Sequence, residues 1–285
     1  MYSYYSEIML LTKSYYEDEL ECWLKWHLNI LHFDHIIIFD NESTVDVRKI
    51  INQFPQEKIE YFYIKGWPDQ FSLYNDYLRR SKAQWIIPLD DDEYLYIGGK
   101  YKHNIKEYIS YLQREYSNHM YYILWTNLLS KGYLQSKGDL FLNTHIYYSY
   151  QLLNRLYYYW PQDNGWGKCL INNDYGYNYF YFKKGSTGHI PLCLDNHNNV
   201  VLVNGKPISQ EHINYPSETM FFKDCFIAHY QYKTKNDWIQ KCDSMRVNRK
   251  EESIANKKKI YDMLYNPKPL LLECSIVKEL WGKYN

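Results

Sequence analysis

An α/β fold, a mostly parallel sheet flanked by helices, is what this chain of 285 residues predicts. Three observations carry the expectation. Short apolar runs of strand length alternate with amphipathic stretches of helix length from residue 7 to residue 95. Each run ends in polar residues, most abruptly in Trp85-Ile-Ile-Pro-Leu-Asp90-Asp91-Asp92-Glu93. Alternation at this spacing implies parallel strands joined by right-handed crossovers, which bring every strand's C-terminal end to one rim.

Glu7 to Thr12 reads as the first strand, with Ile8 to Leu11 as its apolar run. Glu17 to His32 predicts a helix, because Leu20, Trp23, Leu24, His27, Leu28 and Leu31 recur at helical spacing. His35 to Phe39 is a buried strand ending at Asp40-Asn41-Glu42-Ser43-Thr44, where Ser43 or Thr44 is placed to cap a helix from Val45 to Phe54. Ile59 to Ile64 is the third strand. Asp69 stands where it would cap a helix from Gln70 to Ser81. Trp85 to Leu89 is the fourth strand and delivers the acidic cluster. Thr12, Asp40, Asn41 and Asp90 to Asp92 are therefore expected to converge.

Beyond Glu93 the pattern loosens. Asn104 to Tyr116 reads as a helix, Met120 to Trp125 as a strand, and residues 126–142 as a long loop. Tyr147 to Trp160 is ambiguous between strand and helix. Lys168 to Ile171 follows a turn, Asn196 to Asn204 suggests a hairpin with Asn198-Asn199 at its tip, and Phe226 to Tyr230 is a late short strand. From Asn236 the chain reads as helical and polar, with a last helix near Ile276 to Trp281. The expected organisation is one domain over residues 1–235 and a helical C-terminal extension over 236–285. That domain would divide into a first half of about 1–95 and a second of about 96–235.

The formal net charge is zero, so no strongly basic face for nucleic acid is implied. No apolar stretch approaches the roughly 20 residues of a membrane span, and the first residues lack a signal peptide's basic and apolar regions. The six cysteines form no Cys-x-x-Cys pair, which argues against a zinc knot or disulfide framework. A cytoplasmic, reduced protein is expected. The 34 tyrosines fit an AT-rich genome, viral ones included, better than a sugar-stacking surface, because Asn, Ile and Lys are abundant with them.

The chemistry centres on the acidic cluster. Close carboxylates repel one another, and a hard divalent cation held with a polyphosphate relieves that repulsion. A solvated acidic turn is the competing explanation. Asp91, the middle residue, is expected to point away from its neighbours along an extended backbone. Gln70, Tyr74 and Asn75 lie on one side of the helix before the acidic strand, where ligand contact and simple packing both explain Tyr74. Lys168 either neutralises a phosphate or is a solvated lysine. Asp163, in a polar loop flanked by Trp160 and Trp166, is the candidate general base, with Glu211 and Asp174 behind it.

Four ordered segments, "WLKWHLNILHFDHIIIFDNEST", "QFSLYNDYLRR", "WIIPLDDDEYL" and "HYQYKTKNDWIQK", resemble those of the glycosyltransferase family 2 and family 92-like enzymes of the GT-A fold. The likeness is close over residues 7–95 and looser over 225–242. It departs at His32, where the family pattern has glycine, at Tyr94 for phenylalanine, and at Lys13-Ser14-Tyr15 for Lys-Asn-Glu. The resemblance implies a metal-dependent, inverting transfer of sugar from a nucleotide-diphosphate donor, a UDP-sugar in the first instance, to a glycan or glycoprotein acceptor. Mn²⁺ or Mg²⁺ would be the ion. Asp90 and Asp92 would form the family's D-x-D pair, with Asp90 reaching the donor ribose or sugar as well as the metal. His229 would be a further metal ligand, with His189 its rival. Thr12, Asp40, Asn41, Gln70, Asn75, Asp91 and Lys168 would contact the donor. Two other classes compete: a divalent-metal nucleotidyl- or phosphotransferase, and a non-catalytic carbohydrate-binding protein on a transferase scaffold.

Overall fold

The structure is a computed structural model. It describes residues 4–14, 16–66, 69–116, 120–128, 147–149, 167–173, 180–181, 192–193, 202–203, 206–207, 225–230 and 271–273. The chain packs as two compact units, residues 1–125 with 162–227, and residues 126–161 with 228–285.

In chain order, β1 (Tyr4–Thr12) leads to α1 (Glu17–Lys25), which runs on as a π-helical turn over Trp26–Ile30. Then come β2 (His35–Asp40), α2 (Val47–Ile51), β3 (Ile59–Tyr63), α3 (Gln70–Arg80), β4 (Ala83–Leu89), β5 (Glu93–Ile97), α4 (Ile105–Tyr116) and β6 (Met120–Asn127). Short strands follow: β7 (Tyr147–Ser149), β8 (Gly167–Asn172), β9 (Phe180–Tyr181), β10 (Leu192–Cys193), β11 (Leu202–Val203), β12 (Lys206–Pro207), β13 (Cys225–His229) and β14 (Leu271–Glu273).

The main sheet has the order β3-β2-β1-β4-β8-β6-β13-β5. β1 to β4 are mutually parallel where they pair, and β8 runs antiparallel to both β4 and β6. The expected mostly parallel α/β architecture is what folds. Right-handed crossovers put α1 and α2 on one face and α3 on the other. On the α3 side, Tyr74, Tyr77 and Leu78 pack against Met9, Ile37, Phe39 and Ile86. The central strands are buried on both faces, which is why they read as continuous apolar runs rather than alternating ones.

Several boundaries differ from expectation for physical reasons. The second helix starts at Val47, and its cap is Asp46, whose carboxylate accepts from Lys49 N–H at 3.1 Å. Ser43 and Thr44 instead bind the chain after β1: Ser43 Oγ accepts from Ser14 N–H at 2.9 Å, and Thr44 N–H donates to Ser14 C=O at 2.9 Å. Asp69 sits at the start of α3 but accepts from the Ser72 hydroxyl at 3.0 Å, not from a backbone amide. β5 was not expected; all five of its residues are buried. β11 and β12 pair antiparallel, with Val203 opposite Lys206; the tip expected at Asn198-Asn199 lies outside the described residues. Leu271–Glu273 forms a strand against β7 inside the stretch expected to be helical, and both belong to the second unit. The loop over 129–142 and the last helix near 276–281 lie outside the described residues.

β5 ends the sheet, and its open edge is paired by side chains of the first helix. Trp23 Nε1 donates to Glu93 C=O at 2.8 Å, Trp26 Nε1 donates to Leu95 C=O at 2.8 Å, and His27 Nε2 accepts from Leu95 N–H at 3.4 Å. An edge strand needs such cover. The π-turn, in which Leu31 N–H reaches Trp26 C=O at 3.0 Å, belongs to the segment that presents Trp26 and His27 to that edge. His32 follows with φ of 60°, a left-handed conformation that explains why a glycine suits this position.

His27 carries a pH consequence. It is fully buried, and burial pushes its pKa down to about 3 against a small upward pull from its bond to Trp23 C=O. In the unfolded chain the same imidazole takes its proton near 6.5. Between those values the unfolded state binds more protons, so each unit of falling pH costs about 1.4 kcal/mol of stability from this group. The contribution is whole above 6.5 and is lost toward 3. Urea midpoints measured from pH 7 to pH 5, before most carboxylates titrate, should fall more steeply in the parent chain than in His27→Gln. Equal slopes would refute the assignment.

Candidate functional site

The strand order determines where a ligand crevice lies. From β1 the chain winds outward through β2 to β3, then returns so that β4 pairs on β1's other side. In an open parallel sheet the crevice opens at such a reversal, outside the carboxyl ends of the strands. Here that point is between β1 and β4.

Thr12 and Ser14 leave β1 at this crevice, and both hydroxyls donate to the Asp91 carboxylate, at 2.5 and 3.1 Å. Asp91 therefore faces the crevice, contrary to expectation. Side-chain alternation holds only in extended backbone. Asp90 to Glu93 instead form a turn closed by Glu93 N–H on Asp90 C=O at 3.0 Å.

Asp90 is held from three directions. Its backbone N–H donates to Glu93 Oε2 at 2.9 Å, its Oδ2 accepts from Lys168 Nζ at 3.0 Å, and Gln70 Nε2 lies 3.5 Å from Oδ1. Lys168 is completely buried and also reaches Glu93 Oε2 at 3.2 Å. Burial alone would lower its pKa, but the charges of Asp90 and Glu93 outweigh burial and hold it above the usual lysine range. Lys168 is thus the internal counter-ion of the acidic turn, neither a solvated lysine nor a cation held open for phosphate. Glu93 is completely buried and serves as the bracket for Asp90. Asp92 is buried, with 7% exposure, whereas Asp90 and Asp91 are half-buried.

Gln70 also donates to Tyr74 Oη at 2.8 Å. Tyr74 is fully buried in the core under α3, and burial together with the nearby Asp90 charge raises its pKa above the usual phenol range. Packing is the role the geometry gives it. Asn75, on the same helix, is buried at 9% exposure.

Asp40 and Asn41 end β2, and Asn41 N–H donates to Thr12 C=O at 2.8 Å, so the two strand ends do meet. Asp40 Oδ1 accepts from Ser43 N–H at 2.9 Å, a local turn of the kind Asp favours. Its Oδ2 accepts from Tyr61 Oη at 2.8 Å. Burial first, then the Asp40 bond and charge, push the Tyr61 phenol up to about 12, while Arg48 stacks 5.3 Å from its ring centre. Asn41 Nδ2 donates to the carbonyls of Ile64 (3.3 Å) and Gly66 (2.5 Å), tying β2 to the chain leaving β3. Ser14, Tyr61 and Glu93 were missed as site residues. Only Glu93, by its place in the acidic run, carried a signal in the sequence.

No family model matches the chain, and no curated protein matches it. Solved structures do. Residues 1–349 of TarS from S. aureus, in complex with UDP, align at 14% identity over 63% of this chain and 50% of that one, with a TM-score of 0.41. A mycobacterial protein aligns at 13% identity over 60% and 54%, with a TM-score of 0.35. The 4-diphosphocytidyl-2C-methyl-D-erythritol synthase of Anaerococcus prevotii aligns at 12% identity over 48% and 60%, with a TM-score of 0.29. The chain spans about half the length of the first of these.

A hard divalent cation is commonly bound by one or two carboxylates, with substrate phosphates completing its shell. The half-buried carboxylates at the β1–β4 crevice suit that donor chemistry. Among the described residues no three His, Cys, Asp or Glu side chains converge as a ready-made cage. His229 ends β13 in the second unit, 7% exposed, with its carbonyl accepting from Leu128 N–H at 3.1 Å. Asp163, Asp174, His189 and Glu211 lie outside the described residues. No helix among the described residues is long and apolar enough to cross a membrane.

Proposed function

We propose that this chain is a glycosyltransferase that binds a nucleotide-diphosphate sugar, a UDP-sugar in the first instance, at the β1–β4 crevice. What supports this reading most is one observation: Thr12, Asp40, Asn41, Asp90 and Asp91 come from three parallel strands and meet at the carboxyl-end rim. The resemblance of the motifs that carry four of these residues to GT-A enzymes supports it too. In this reading Asp40 and Asn41 take the nucleoside, Gln70 and Asn75 support the donor side of the crevice, and Thr12 with Asp91 forms its floor. Lys168 and Glu93 hold Asp90 in place.

Asp90 and Asp92 are the proposed holders of Mn²⁺ or Mg²⁺, which when bound would neutralise the departing diphosphate. Asp163, or failing it Glu211, would take the proton of the acceptor hydroxyl as the sugar inverts. The acceptor is a glycan or glycoprotein.

A donor panel with detection of the released nucleotide tests the whole reading. Release of UDP from one UDP-sugar, dependent on Mn²⁺ or Mg²⁺ and cut at least tenfold in Asp92→Ala, is expected. Pyrophosphate release from a nucleoside triphosphate would assign nucleotidyl transfer instead. UDP binding without turnover of any sugar would assign a carbohydrate-binding role.

A further inference from the structure

Away from the crevice, a cavity of about 330 Å³ opens between α3 and the strands β1, β2 and β3. Its origin is architectural. Among the described residues α3 is the helix on this face of the parallel strands, and its buried residues cover β1, β2 and β4. On the outer strand β3, Phe62 is 41% exposed while stacked on Phe39 at 5.7 Å. Phe39, Phe62, Ile64 and Leu73 make an apolar wall.

One end of the cavity is polar. Glu7 and His35 lie there, almost fully buried, with His35 Nδ1 donating to Glu7 Oε2 at 2.5 Å and Ser81 Oγ donating to Oε1 at 2.7 Å. Both oxygens of Glu7 are thus met from inside the protein. Around the mouth stand Glu60, Asp76, Arg80 and Lys82. Asp76 has Arg79 at 3.8 Å. Arg80 and Lys82 are exposed and have no carboxylate partner among the described residues. Arg80 and Lys82 therefore stand as the cations of a mouth that also carries the carboxylates of Glu60 and Asp76.

We propose that this cavity is a second ligand site, for a small amphipathic anion. An aromatic or other apolar body would lie against Phe62 and Phe39, and a carboxylate, phosphate or sulfonate head would meet Arg80 and Lys82. The volume is at the lower end of small-molecule sites, where a few placed polar groups on an apolar wall set orientation. Arg80 ends α3, where a cation also complements the helix dipole.

Two probes of one shape and opposite charge decide the matter: naphthalene-2-sulfonate and 2-naphthylmethylammonium, titrated into the full chain by calorimetry. The sulfonate should bind at least tenfold tighter than the ammonium. The exposed pair Arg80→Glu with Lys82→Glu should weaken sulfonate binding at least tenfold and reverse the preference. Phe62→Ser should weaken both probes. Equal binding of the two, no binding of either, or a preference that survives the charge reversal would overturn the proposal. UDP titration of the charge-reversed variant should match the parent, because these residues lie apart from the crevice. Its outcome therefore stands or falls separately from the transferase reading.

Discussion

Replacing Lys168 with methionine is expected to lower the unfolding free energy by about 3–5 kcal/mol, the usual cost of stripping one partner from a buried ion pair. The methionine fills nearly the same volume, so the loss is electrostatic. It leaves Glu93, completely buried, and Asp90 with two carboxylates facing each other across the space of the missing ammonium. Adding Glu93→Gln to the methionine variant removes the buried charge and still offers Asp90 N–H a carbonyl acceptor, so it should recover part of the loss. Urea unfolding followed by tryptophan fluorescence measures both. A single variant within about 1 kcal/mol of the parent would show that the ammonium is not the counter-ion of this turn. The same variant should also weaken UDP binding, because Asp90 would no longer be held toward the crevice.

The parts of the fold that could be read in advance are those where one physical rule dominates. Ile36 to Phe39 and Trp85 to Leu89 are buried on both faces, so their apolar runs leave little alternative to a strand. The parallel topology then follows from crossover length and handedness, and with it the meeting of Thr12, Asp40 and Asp91, which are distant in sequence. What could not be read are contacts that depend on where a side chain of another element arrives. Glu93 to Ile97 is not predicted as a strand, and its outer edge is satisfied by Trp23, Trp26 and His27 from a helix, not by another strand. Lys168 reads as a phosphate-neutralising or a solvated lysine because nothing local marks it as paired. Its two partners lie more than seventy residues earlier. The direction of Asp91 was misjudged because a four-residue turn replaces the extended backbone assumed for the acidic run.

Trp23→Ala should be the most damaging single change in the first helix, at about 3–5 kcal/mol. The indole is fully buried, lies 4.1 Å from the His27 ring, and supplies the N–H that Glu93 C=O accepts. Trp23→Phe separates these contributions. It keeps most of the apolar body and removes only that donor, so it should cost about 1–3 kcal/mol, as expected when a buried acceptor loses its partner. The position also reaches the crevice through one residue, since Glu93 is bonded to Trp23 through its main chain and to Asp90 and Lys168 through its side chain. Trp23→Phe is therefore expected to weaken UDP binding more than a core substitution of equal stability cost placed elsewhere, such as Ile50→Ala in α2. Unfolding by urea gives the stability side, and UDP calorimetry well below the unfolding transition gives the other. Equal UDP affinity in the two variants would confine Trp23 to a packing role and leave the edge of β5 without a part in shaping the acidic turn.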